Sequence, residues 1–254
     1  MEEGTSMGER RSRAALAAAV LGVLAAADAV LGPVLAGTGV VRPLTGFYLF
    51  AVGMLEAVLG TILALVAFAR TKAGSGRSGR GLAWLGFATS TAVLAAVVQA
   101  GSAGRGVPSI NDITTNPADP PGFELALADP ANAGRDMGYP ADFAAQQRGA
   151  YPDLAPIPIP LPVGEALERA RRAAETLGWE IAEVRPPQSE GADGVLEARE
   201  VSGLFRFVDD VVVRVRPAES GSVVDVRSKS RDGRGDMGVN AKRIRAFRDA
   251  VARG

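Results

Sequence analysis

The densest run of polar side chains in the sequence is Arg227-Ser228-Lys229-Ser230-Arg231-Asp232-Gly233-Arg234-Gly235-Asp236. These residue types suit anion binding: Arg grips a carboxylate or phosphate through two parallel N–H bonds, and Lys adds a compact point charge. Ser228 and Ser230 add hydroxyls to the basic rim expected from Arg227, Lys229, Arg231 and Arg234. The competing reading is a solvated loop that offsets acids elsewhere. A Ser–Lys nucleophile fails here, because neighbouring side chains diverge on an extended strand. For the same reason Asp209 and Asp210 cannot converge as a catalytic dyad, and they read as a strand-entry turn. Asp112 and Asp225 remain as isolated carboxylates on which a hydrolase could be built.

The 254-residue chain has no histidine and no cysteine. Ser-His-Asp and Cys-His catalysis, disulfides and thiolate zinc sites are thereby excluded. Asp232, Asp236 and Asn240 do not follow the spacing of a calcium loop, so no metal and no cofactor is expected. Lys242, Arg243, Arg245 and Arg248 line the last helix without the aromatic residues that stack bases, and nucleic acid is not an expected partner.

Several elements must position the polar run. Leu167, Ala170, Ala174 and Leu177 recur at helical spacing and end at Gly178, a C-cap residue. Four strands follow, at 179–184, 194–200, 205–216 and 223–228, and the turn residues of 217–222 make the last two a hairpin. Matching their apolar faces pairs Val215 with Val224 and sets Arg214 opposite Asp225. A final helix from Met237 to about Val251 is capped by Asp236 and buries Ala241, Ile244, Phe247 and Val251. The expected layer is α+β: helix, four-stranded antiparallel sheet, C-terminal helix, with both helices on one face. Ahead of it, residues 107–162 hold 11 of the 16 prolines and read as successive turns, with PIPIPLP as polyproline II or an edge segment. Phe123, Tyr139, Phe143 and Tyr151 argue that this stretch wraps the domain, which could bring Asn111 and Asp112 beside the basic run.

The first hundred residues differ in kind. Ala14–Ala36, Phe47–Ala69 and Leu82–Ala100 are apolar on all sides and reach or approach the ~20 residues that cross a bilayer as a helix. The first is too long for the apolar core of a signal peptide and reads as a retained span. The expected domains are therefore 1–104, membrane, and 107–254, α+β. Basic residues cluster before the first span (Arg10, Arg11, Arg13) and after the second (Arg70, Lys72, Arg77, Arg80), so the N-terminus is expected in the cytoplasm. Three spans then put the α+β domain outside. Asp28 and Glu56 interrupt the spans at similar depth, either to pack, to handle a proton, or to mate with a membrane protein partner. Gly22, Ala26, Gly53 and Ala57, spaced by four, allow close helix approach. Net charge is +3 over residues 1–104, −9 over 105–226 and +6 over 227–254.

INDITTNPADPPGF (110–123), YPADFAAQQRGAYPDL (139–154), DDVVVRVRP (209–217) and VDVRSKSRDGRGDMGVNAKRIRAF (224–247) resemble the domain of unknown function numbered 1499. The resemblance covers roughly residues 107–252. It implies that the Pro-rich stretch belongs to the folded domain, and a setting in a bacterial envelope behind membrane spans. It implies no activity and no catalytic residues. The function expected is that of a non-catalytic envelope module at the cell membrane, presenting its basic loop to an anionic lipid, polymer or partner.

Overall fold

The computed structural model describes residues 10–101 and 106–254. Two compact units divide the chain: residues 1–103 with Gly203–Arg206, and residues 104–202 with 207–254.

The first unit is built on three helices long and apolar enough to cross a membrane, α1 (Arg13–Gly37), α2 (Pro43–Arg70) and α3 (Arg80–Gly101). Ser12 caps α1 by accepting the Ala15 N–H at 3.3 Å, and Pro43 opens α2 with its fixed φ. Small residues set the spacing between helices. A Cβ added at Gly53 would stand 3.0 Å from the Asp28 Cβ, and one at Gly86 would overlap the backbone of Ala18. Without a hydrophobic force between helices in lipid, such close backbone approach carries the association. Two-residue strands β1 (Arg10–Arg11) and β2 (Arg77–Ser78) pair in parallel, so the two basic segments flanking α1 and α3 meet at one end of the bundle.

The second unit is α+β. Its elements run β3 (Asp112–Thr114), α4 (Leu125–Ala128), a 3-10 turn (Pro130–Asn132), α5 (Phe143–Ala150), β4 (Ile157–Ile159), α6 (Val163–Thr176), β5 (Glu180–Arg185), β6 (Gly194–Val201), β7 (Val208–Ala218), β8 (Gly221–Ser230) and α7 (Val239–Arg253). The sheet order is β3-β8-β7-β6-β5, with β4 also pairing with β8. The sheet thus has six strands where four were expected. The two additional strands come from the Pro-rich stretch: β4 is the edge segment inside PIPIPLP, and β3 lies where only turns were read. In the hairpin, Val215 pairs with Val224 and Arg214 with Asp225, as the apolar faces required.

Alternation along β7 and β8 splits the sheet into two chemically distinct faces. Val211, Val213, Val215, Val224 and Val226 form one core with Leu167 and Ala170 of α6 and Ile244 and Phe247 of α7. Trp179 stacks on Phe247 at 5.0 Å. Fully burying side chains such as Phe247, Ile244 and Leu167 contributes about 1.5–3 kcal/mol each. Gly178, at φ 77°, closes α6. α7 starts two residues later than expected, with Gly238 rather than Asp236 as its N-cap, and Asp236 accepts the N–H groups of Gly238 and Asn240 from one turn upstream, both at 2.8 Å. The opposite face carries charged residues and is covered by the Pro-rich segment. There Phe123, Ala126 and Met137 pack on Val212, and the buried Glu197 carboxylate accepts the N–H groups of Glu124, Leu125 and Ala126 at 2.8, 3.1 and 3.0 Å.

Candidate functional site

The basic run begins inside β8, so its side chains alternate. Asp225, Arg227 and Lys229 project onto the covered face, while Ser228 and Ser230 project toward α7. β3 pairs antiparallel with β8, placing Asp112 opposite Lys229 and Thr114 opposite Arg227. Asn111, Asp112 and residues 227–231 therefore do come together, and the wrapping segment does return to the polar run.

Four cations do not form an open rim. Arg227 is 2% exposed. Its Nε and Nη2 donate to Asp112 at 2.9 and 2.7 Å, its other bonds go to the carbonyls of Pro121 and Met137, and its guanidinium lies 4.8 Å from the Phe123 ring centre. Four of its five N–H bonds are thus taken by the protein. Tyr139 lies on the same guanidinium, and burial, with the Asp112 charge adding to it, pushes its phenol up to about 12. Arg231 gives Nε and Nη2 to Asp210 at 2.9 and 2.6 Å and reaches Asp129 at 2.9 Å. Burial works against its charge, but these carboxylates outweigh that and hold its pKa above the ordinary value. Asp129 sits below its ordinary pKa, chiefly because it accepts the Ala131 N–H. Arg234 is exposed.

Ser228 and Ser230 belong to a second buried network. Ser228 donates to Asn240 Oδ1 at 2.8 Å and accepts from Arg243, while Asn240 Nδ2 donates to Ser230 Oγ at 3.0 Å. Arg243, read from the sequence as part of a basic helix surface, is buried and bonds Asp209 at 2.6 Å and Glu200 at 2.5 Å. Asp209 and Asp210 thus face opposite sides, each with an arginine, inside the β7 ladder rather than in a turn.

Lys229 is a partly buried cation with capacity left. Its Nζ donates once, to Asp112 at 2.9 Å, and it lines a cleft of about 290 Å³. The cleft is also lined by Asn111, Ser230, Arg231 and Gly233 around the end of β8, by Asn132, Arg135, Asp136 and Met137 of the Pro-rich segment, and by Asp210 of β7. Asn111 donates to the Gly233 carbonyl at 2.8 Å and so braces the loop that follows β8. Asn132 and Arg135 were not singled out from the sequence. Their signal is weak, because Asp129-Pro130-Ala131-Asn132 reads only as a turn, and the Asp129 side chain caps it by accepting the Ala131 N–H at 2.9 Å. Among the described residues, no group of three or more acidic side chains is arranged to hold a metal ion.

The family model described as "Protein of unknown function (DUF1499)" matches residues 112–251, more than half of the chain. The chain belongs to this family. The family domain opens on Asp112 itself and closes in α7, so every residue lining the cleft except Asn111 falls within it, and the three long apolar helices fall outside. No curated protein and no solved structure matches the chain.

Proposed function

We propose that this member of the family is a membrane-anchored binding module whose α+β domain takes an anionic ligand in the cleft beside β8. The observation that carries the reading is Lys229: a partly buried ammonium on the cleft wall with two N–H bonds unused by the protein. Arg135, an exposed lining residue bonded to Asp232 at 3.2 Å, adds a second cation to the cleft. The hydrolase alternative is disfavoured by its own candidates. Asp225 is gripped by Arg214 at 2.8 Å and Arg216 at 2.6 Å, and Asp112 by Arg227 and Lys229, so neither is poised as an acid or base. Titration of anions into the purified chain tests the reading. Lys229→Met should weaken binding about tenfold or more, the scale of losing one hydrogen bond to a charged group. Binding unaffected by Lys229→Met removes the cleft as the site.

The setting belongs to the same proposal: a bacterial cell membrane, with the N-terminus cytoplasmic and the family domain outside. Clustered basic residues at the end of the bundle where Arg10 meets Arg77 support that orientation. A periplasm-dependent reporter joined after Gly254 should be active, and activity of a cytosol-dependent reporter there reverses the topology. An assembly role is favoured by one further observation: the buried Oε2 of Glu56 has no hydrogen-bond partner among the described residues. A second membrane protein supplying a donor at Glu56 should co-purify from detergent, be lost in Glu56→Leu, and leave the family domain's ligand binding intact. A clean monomer from native membranes counts against it.

A further inference from the structure

The charge balance and one orphaned acceptor in the cleft narrow the ligand further than "anionic". Asn132 is 3% exposed and lines the cleft. Its Nδ2 donates to the Ala126 carbonyl at 2.8 Å and to Asp210 Oδ2 at 3.0 Å, two acceptors that fix the orientation of the amide. The Oδ1 atom is left buried without a partner among the described residues. A buried acceptor left unmet costs free energy that a ligand O–H or N–H would recover. The cations, meanwhile, are largely spent: Arg231 is matched by Asp210 and Asp129, and Arg135 by Asp232. Asp136 adds a further negative charge to the wall. Lys229 has two N–H bonds unused among the described residues, and it shares Asp112 with Arg227, so one positive charge of that trio is unmatched. The unmatched charge is local to Lys229: Asp210, Asp129, Asp232 and Asp136 outnumber Arg231, Arg135 and Arg199, so a dianion or polyanion would meet carboxylates with nothing to offset its second charge. The volume, about 290 Å³, stands at the small end of ligand pockets, which begin near 300 Å³. That is room for a single sugar ring rather than a chain of them.

Resting on the binding reading above, we infer that the cleft takes a monosaccharide-sized, hydroxyl-bearing monoanion, a sugar acid, with its carboxylate on Lys229 and a hydroxyl donated to Asn132 Oδ1. Four probes separate the requirements when titrated calorimetrically into the full chain in detergent. Glucuronate carries both features, glucose lacks the charge, cyclohexanecarboxylate lacks the hydroxyls, and glucose 6-phosphate carries a second charge. Glucuronate should bind, with each of the other three weaker by about tenfold or more, and Lys229→Met should reduce glucuronate to the level of glucose. Cyclohexanecarboxylate equal to glucuronate overturns the hydroxyl requirement, and glucose 6-phosphate tighter than glucuronate overturns the single charge. Either result leaves the cleft as an anion site as long as Lys229→Met still weakens the anion that binds. Absence of any binding at millimolar glucuronate overturns the sugar-acid assignment, and the anion reading falls with it only if inorganic phosphate and acetate are also without effect.

Discussion

Arg227 and Asp112, 115 residues apart in sequence, meet as a two-bonded ion pair sealed between the sheet and the segment that covers it. The pair ties the first strand of the family domain to the last, and Lys229 completes it from the cleft side. A cation that looked in the sequence like an open ligand-binding group is in fact a bolt holding the wall on which Lys229 stands.

Removing both partners of that pair should cost less than the two single removals added together. Asp112→Ala leaves Arg227 buried and uncompensated, a change that costs about 3–5 kcal/mol. The double variant with Arg227→Ala should lose less than the sum of the two single changes, by a coupling of about 0.5–3 kcal/mol. Thermal unfolding followed through Trp179 fluorescence measures the cycle, with Trp84 replaced by Phe so that one indole reports. Strict additivity would mean that the two side chains do not act as a unit.

The Asp236 carboxyl lies above its ordinary value of 3.8, because burial penalises its charge more than the N–H groups of Asn240 and Gly238 favour it. An acid whose folded pKa exceeds its unfolded one stabilises the fold below the unfolded value, and the contribution is lost as pH rises through the folded value. Asp236→Asn keeps an acceptor for those N–H groups but carries no charge. Its stability relative to the parent should therefore improve as pH rises from below 3.8 to neutrality. Asp236→Ala should cost about 1 kcal/mol through loss of the bonds it accepts from Gly238 and Asn240. Asp153 is the counter-example: its bonds to Arg245 lower its pKa, so its contribution is present above the ordinary value and disappears in acid. Carboxyl titration by NMR should find Asp236 above and Asp153 below the usual aspartate range.

The parts of this architecture that repeat a period were legible in the sequence. Alternation of Val211, Val213 and Val215 against Arg214 and Arg216 was long enough to set the hairpin register, including Arg214 opposite Asp225. α7 showed its buried face through Ala241, Ile244, Phe247 and Val251. β3 was not legible, since three residues, Asp112, Ile113 and Thr114, are too few to display alternation among so many turn-formers. The cleft was half legible for a related reason. Its β8 wall is a dense polar run, whereas Asn132 and Arg135 acquire their roles only when the chain folds back across the sheet. Arg227 and Arg243 misled because charge count carries no information on burial, and both are inside.

Glu197 is 3% exposed and caps the chain at 124–126 from across the sheet, a role that no local pattern announces. Glu197→Ala should release the covering segment more than it unfolds the sheet. Limited proteolysis should then cut within residues 116–142 at protease levels that leave the parent intact, while the far-UV spectrum is nearly unchanged. Equal protection in the variant would show that Phe123 and Met137 hold the segment without the carboxylate.

Two glycines of α3 provide an internally controlled test of how the apolar bundle coheres. Nothing lies within 4 Å of a Cβ built at Gly81, whereas one built at Gly86 would overlap the backbone of Ala18 on α1. Gly22, on the same helix as Ala18, has Gly86 as its own near neighbour, so the two helices touch main chain to main chain at this level. In lipid, where leucine gains nothing by leaving its surroundings for a neighbouring helix, such contact is the chief source of association. Gly86→Leu must push α3 away from α1 at a cost of about 1–3 kcal/mol. Gly81→Leu adds an apolar side chain in open space and should be neutral. Heating the two variants in detergent micelles compares them directly, and the Gly86 variant should aggregate at the lower temperature. If both aggregate together at the temperature of the parent, α1 and α3 are not held by this contact.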